Sequence, residues 1–244
     1  PAVGSGAFLL AAQEVLIDVY LQCIEYFQAL RDERPWDLHG DVEEELDTID
    51  ATKGTATLYA KKQIILNNLY GVDIDEGGVE ICKLRLWLSM VADIENEPKE
   101  VEPLPNIDFN IRQGNSLIGQ VDVSVVSNDD GNSELDSWDR KTRFNDVKKA
   151  IKKHRQADTS ADAQKWREDA EERIEKHRGE FDRNLRGEFQ DAGFDDIIVE
   201  ELRDWSPFHW PLEFADVFEQ GGFDVFIGNP PWDMLYANRD DFFS

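Results

Sequence analysis

The stretch FHWPLEFADVFEQGGFDVFIGNPPW (208–232) decides how the rest of the chain is read. Its apolar run Phe223–Ile227 lies between Gly221-Gly222 and Gly228-Asn229, the pattern of a short buried strand between turns. That strand leads straight into Asn229-Pro230-Pro231-Trp232. Neither proline can donate a hydrogen bond, and the pair stiffens the turn. The side-chain oxygen of Asn229 and the carbonyl of Pro230 can then accept from one –NH2 group, while Trp232 offers a flat face to a planar ring. An exocyclic amine held by two acceptors loses conjugation with its ring. Its lone pair turns toward an electrophilic methyl, and the nascent positive charge is stabilised. A chance Asn-Pro-Pro-Trp in a surface loop is the alternative.

Three elements upstream are read with it. Pro1-Ala2-Val3-Gly4-Ser5-Gly6 feeds an apolar helical pattern from Gly6 to about Arg31. Gly4 and Gly6 permit positive φ and close approach of a ligand, and the helix start offers unpaired N–H groups. A plain strand–turn–helix junction would look the same. Tyr70-Gly71-Val72-Asp73-Ile74-Asp75 ends a short apolar strand, Leu69–Ile74, in acid. At the carboxyl end of a strand in a doubly wound sheet, Asp73 can accept both ribose hydroxyls of an adenosine cofactor, with Ile74 against the adenine. Asp75 reads as the cap of the next helix, Gly77–Ile94. After a further strand, Ile107–Arg112, comes Gln113-Gly114-Asn115-Ser116. Asn115 can donate to and accept from an adenine edge, or simply close a local Asx turn.

Between the third and fourth elements the chain changes character. Asp129–Asn132 reads as a turn. About Leu135–Gln190 is nearly free of Gly and Pro and predicts a long antiparallel helix pair, broken near Asp158–Ser160 and capped by Asp158 or Ser160. Residues 140–186 carry a net charge of +5, whereas the rest of the chain carries −31. The hairpin reads as a solvated helical face or as a phosphate-contacting arm, with Lys148, Lys149, Lys152, Lys153 and Arg155 at the phosphates. The three parts are therefore 1–128, the insertion 129–192, and 193–244.

The 244 residues suffice for one α/β domain with a large insertion. The net charge of −26 is spread along the chain and repels nucleic acid when taken alone. It reads either as an acidic interaction protein or, by preference, as a halophile's surface suited to concentrated salt. No apolar run approaches the roughly 20 residues of a bilayer span, so no membrane partner is expected. Cys23 and Cys82 stand far apart, which argues against a disulfide framework and suits a reducing cytoplasm. The four histidines show no ligand spacing, so no metal is expected.

Taken in order, PAVGSGAFLL (1–10), YGVDID (70–75), KLRLWLS (83–89), GNSL (114–117) and the 208–232 string resemble the S-adenosylmethionine-dependent adenine-specific DNA methyltransferases with an Asn-Pro-Pro-aromatic motif. Within these the chain is most similar to the methylases of type IIG restriction–modification and phage-defence systems. The resemblance implies a Rossmann-like α/β sheet, incomplete at both ends, and a long helical-hairpin insertion. It implies S-adenosyl-L-methionine as cofactor and methyl transfer to N6 of an adenine flipped out of double-stranded DNA. Restriction or defence-system subunits are the further partners it suggests.

By matching position, Ala2, Gly4, Ser5 and Gly6 line the methionine end, Asp73 holds the ribose, and Ile74, Asn115 and Ser116 border the cofactor's adenine. Asn229, Pro230 and Trp232 hold the target base, with Pro231 near the cofactor. Trp232 stands where Tyr or Phe is commoner. Flipping costs a few kcal/mol, and stacking on Trp232 returns roughly 1–3 kcal/mol of it. The family pattern places an acidic residue and a strand before Pro1, so the chain reads as a fragment that is inactive alone. Methylation of a protein glutamine, whose amide suits the same pocket, and a non-catalytic interaction fragment are the rival readings.

Overall fold

In the computed structural model the structure describes residues 1–51, 55–92, 106–121, 144–157 and 159–229. Pro230, Pro231 and Trp232 and the expected turn at 129–132 lie outside them.

Gly6, with φ +79°, starts α1 (Ala7–Glu33). The acidic segment after it forms a 3-10 turn (Pro35–Asp37) and α2 (Gly40–Ala51), with Leu46 buried. Thr55 caps α3 (Ala56–Asn67) by accepting from the Leu58 amide. Then come β1 (Gly71–Asp73), α4 (Glu76–Val91) and β2 (Ile111–Gln113). The two strands pair in parallel, Val72 opposite Arg112, with α4 as the crossover. Such pairing demands a connection of this kind.

Buried residues divide between two faces. Ile111 and Val3 pack with Ile64, Val79, Cys82 and Leu86 of α3 and α4. Val72 faces the other way, onto Phe208, Trp210 and Phe214. On that second side lie α5 (Asn145–Arg155) and α6 (Ser160–Asp191), joined through Val147, Ile151, Ile174 and Phe181. Three short helices follow, α7 (Val199–Asp204), α8 (Trp210–Glu213) and α9 (Ala215–Glu219). The layers are thus helix, sheet, helix, an α/β arrangement that is mostly helical.

Among the described residues the sheet has two strands. Three expectations are corrected. Phe223–Ile227 forms no strand, and Val225 and Phe226 are exposed. With residues 69–72 it lines a cleft of about 520 Å³, and Phe223 meets the Tyr70 ring edge-on, so the segment is held by side chains and not by a backbone ladder. The second hairpin helix is capped by Thr159, whose hydroxyl accepts the Asp162 amide. Thr159 is extended (φ −119°, ψ 147°), the backbone a cap needs, whereas Ser160 is already inside the helix. Finally, α1 is, by length and composition alone, apolar enough to cross a bilayer, with a mean hydropathy of 1.6 over 18 residues. Its start is anchored in the sheet layer through the Val3–Val72 backbone bond, 3.0 Å.

Candidate functional site

The carboxyl ends of β1 and β2 and the start of α1 converge on one edge. The Gly4 amide donates to Asp73 Oδ2 at 2.7 Å, while Asp73 Oδ1 accepts the Asp75 amide at 3.0 Å. Each carboxylate oxygen keeps one further lone pair for a hydroxyl donor. Asp75 accepts the Gly78 amide at 2.8 Å and so caps α4, as its position suggests. Ile74, beside Asp73, is 60% exposed. Gln113 Nε2 donates to the Ile74 carbonyl, 3.2 Å, and ties the two strand ends together.

The glycine turn is built for packing as much as for a ligand. A Cβ on Gly6 would stand 2.7 Å from Cys82 Sγ, so the turn sits directly on α4. Burial pushes the Cys82 thiol up to about 11, which keeps it neutral at physiological pH. Gly4, with φ +51°, has open space where a side chain would go, and Ala2 also has positive φ. Ser5 is held from α4: Arg85 Nη1 donates to its carbonyl at 2.9 Å and to its hydroxyl at 3.1 Å. The N-cap Gly6 contributes no side-chain acceptor, so the first turn of α1 presents its N–H groups uncapped.

On the next loop, Asn115 Oδ1 accepts the Leu117 amide at 3.1 Å, the Asx turn that the sequence allowed. Its NH2 and the second lone pair of its oxygen can still meet a ligand. Ser116 gives its carbonyl to Trp210 Nε1, 3.3 Å. Asn229, exposed, follows Gly228, at which a Cβ would lie 3.1 Å from the Pro1 carbonyl oxygen. Gly228 and Pro1, which opens the glycine turn, are therefore neighbours. Among the described residues no group of three His, Cys, Asp or Glu side chains could hold a metal.

The five hairpin cations do not form one outward-facing set. Lys148 pairs with Glu219 at 2.9 Å, and Arg155 with Asp216 at 2.6 Å and Asn110 Oδ1 at 3.1 Å. Lys153 Nζ lies over the Trp166 ring, 3.9 Å from its centre. Arg155 also approaches Tyr70, so this end of the hairpin meets residues 70 and 110, which precede β1 and β2. That is the end of the sheet opposite Asp73 and Asn115. The expected arm is in these two residues an internal brace.

Sequence reasoning missed the polar groups that fasten the insertion. Arg112 of β2 reaches Glu171 of α6 through both guanidinium NH2 groups and Glu213 through Nε and Nη2, the latter at 2.7 Å. Glu213 also accepts from Arg178 at 2.7 Å. Asp182, buried, accepts from Arg203 and lies beside His209. Burial opposes its charge, yet the hydrogen bonds from His209 and Arg203 hold its pKa below the ordinary carboxylate range. The available signal was periodicity: Glu171, Arg178 and Asp182 recur with Ile174, Phe181 and Leu185 on one helical face.

Residues 67–242 match the model of the Eco57I restriction-modification methylase family. A putative type II restriction enzyme and methyltransferase of Methanocaldococcus jannaschii, RM.MjaORFECS2P, is 28% identical over 97% of this chain and 22% of its own length. The type II restriction enzyme and methyltransferase RM.Eco57I of Escherichia coli is 29% identical over 50% of this chain and 11% of its own. The chain thus spans about a fifth or less of the length of these relatives. No solved structure matches it. A family match over most of the length, on a chain whose glycine turn is hydrogen-bonded to the acidic end of β1, leads to one assignment: the chain belongs to the Eco57I restriction-modification methylase family.

Proposed function

We propose that this chain is the catalytic core of a DNA methyltransferase that moves the methyl of S-adenosylmethionine to N6 of a flipped adenine. The observation that carries the reading is the Gly4–Asp73 hydrogen bond, which joins the glycine turn to the strand-end acid at one edge. The residues fit the cofactor's chemistry. Asp73 has lone pairs for two ribose hydroxyls, Ile74 offers an exposed apolar face to a purine, and the uncapped start of α1 offers N–H donors to a carboxylate. When bound, the cofactor supplies an electrophilic methyl on a sulfonium.

The chain's own work is to orient. Asn229 accepts from the target amine through its side-chain oxygen, with the Pro230 carbonyl as second acceptor. The amine nitrogen is thereby turned pyramidal, and the charge that develops on it meets two fixed dipoles. Trp232 stacks on the extruded base. Restriction-modification is the setting the family supplies, and defence-system subunits are the partners that follow from it.

The test is transfer of labelled methyl from S-adenosylmethionine to DNA, with a protein substrate offered alongside. Label in adenine N6, lost in Asn229→Ala while cofactor binding persists, is the expected result. Label in protein glutamine, or unchanged transfer by Asn229→Ala, would overturn the assignment.

A further inference from the structure

Two pairs of side chains, each four residues apart, tie α6 to the segment around α8. Arg178 and Asp182 stand one turn apart on α6 and share a face. His209 and Glu213 have the same spacing opposite them. They meet in antiparallel order: Arg178 Nη2 donates to Glu213 Oε1 at 2.7 Å, and His209 Nε2 lies 3.0 Å from Asp182 Oδ1. Asp182 and His209 are both fully buried, and Arg203 Nε donates to the second Asp182 oxygen at 2.7 Å.

The ring of His209 is held on its other side too. The Gln120 amide lies 3.2 Å from His209 Nδ1. A backbone N–H can only donate, so Nδ1 presents its lone pair and the proton sits on Nε2. That N–H is the one Asp182 accepts. The carboxylate therefore selects the tautomer with which His209 can hold Gln120. Gln120 closes the loop that begins at Gly114. This loop is strapped to residues 206–210 by Asn115 N to Ser206 O (2.7 Å), Phe208 N to Ile118 O (2.7 Å) and Trp210 N to Gln120 O (3.0 Å). Gly114 and Gly119 allow the strap to lie close: a Cβ would meet Phe208 at 2.6 Å and 2.2 Å.

We propose that Asp182 and His209 are positioning residues, through which the helical insertion fixes the 114–120 loop and so sets the affinity for the adenosine part of the methyl donor. This rests on the cofactor reading above, in which Asn115 and Ser116 border the cofactor's adenine. The insertion is on this view a buttress of the cofactor site, and its buried polar groups, not its lysines, carry that role.

Calorimetric titration with S-adenosylmethionine separates the outcomes. An asparagine oxygen can take the place of His209 Nδ1, whereas a glutamine amide takes that of Nε2. His209→Asn, which keeps the acceptor for Gln120, should bind within about threefold of wild type. His209→Gln and His209→Ala, which lose it, should bind about tenfold or more weakly. Equal affinities for the Asn and Gln variants would overturn the proposal. Should these variants fail to fold, the wild-type protein labelled with 15N-histidine decides. One histidine locked with its proton on Nε2, and shifted toward the other tautomer in Asp182→Asn, is expected; a wild-type His209 that averages between tautomers would overturn it. Failure of the cofactor reading shows separately, as no binding by wild type.

Discussion

Gly4 and Asp73, 69 positions apart in sequence, are joined by a 2.7 Å hydrogen bond from backbone amide to carboxylate. A charge-assisted bond of this kind contributes roughly 1.5–3 kcal/mol when shielded from water. It also fixes the distance between the start of α1 and the end of β1, the two features a nucleoside and its charged tail would span.

The glycine turn yields the first prediction. Gly6→Ala forces φ +79° on a residue with a Cβ and sets that Cβ 2.7 Å from Cys82 Sγ. It should destabilise the fold by about 2–4 kcal/mol, against about 1 kcal/mol for Gly4→Ala, which meets open space. Cys82→Ala should restore part of the loss in Gly6→Ala. Urea unfolding of the two single variants and the double variant measures all three.

Arg112 lies with only 12% of its side chain exposed, between Glu171 and Glu213. Removing Arg112 leaves the buried Glu213 with Arg178 as its remaining cation, while Glu171 is open to water. Arg112→Met should cost about 3–5 kcal/mol, and Glu213→Leu in the same chain should recover part of it. Thermal unfolding provides the check.

How far the sequence reaches is clearest from these residues. Gly77–Ile94 was readable as the helix observed over Glu76–Val91, because Val79, Cys82, Leu86 and Met90 repeat at helical spacing over a buried face. Asp75 was legible as a cap because the motif is local. Phe223–Ile227 misled, since an apolar run specifies burial but not the neighbour a strand needs. The Arg112–Glu171–Glu213 network escaped because charged residues on a helix are ordinarily solvated. The partners that bury these lie 59 and 101 positions from Arg112. Asn115 retained both of its readings: the Asx turn is present, and the loop that carries it stands at the candidate site.

Acid should loosen the insertion first. Asp182, through His209 and Arg203, has its pKa held below the usual range. His154, whose Nε2 lies 3.4 Å from Asp108 Oδ2, and Lys83, 3.1 Å from Oδ1, also hold the Asp108 carboxyl well below the ordinary carboxylate range. A carboxylate with a depressed native value adds stability that is complete above its unfolded value, about 4, and is lost as pH falls through the native value. Unfolding free energies of wild type and Asp182→Asn, from urea titration, should differ by roughly 1–3 kcal/mol at pH 7 and draw together as pH falls from about 4 through the lower native value.

Salt should act in the opposite sense. With a net charge of −26, self-repulsion dominates at low ionic strength. The melting temperature should rise between about 0.1 M and 2 M potassium chloride, as the screening length falls below about 3 Å. A melting temperature that falls over that range would oppose the reading of a surface adapted to concentrated salt.

Titration of wild type and Asp73→Ala with S-adenosylmethionine, with folding of the variant checked by circular dichroism, tests the cofactor site most directly. Saturable binding by wild type, weakened at least about 30-fold in the folded variant, is the result expected from a carboxylate that accepts ribose hydroxyls. Equal affinity in the two proteins would contradict it.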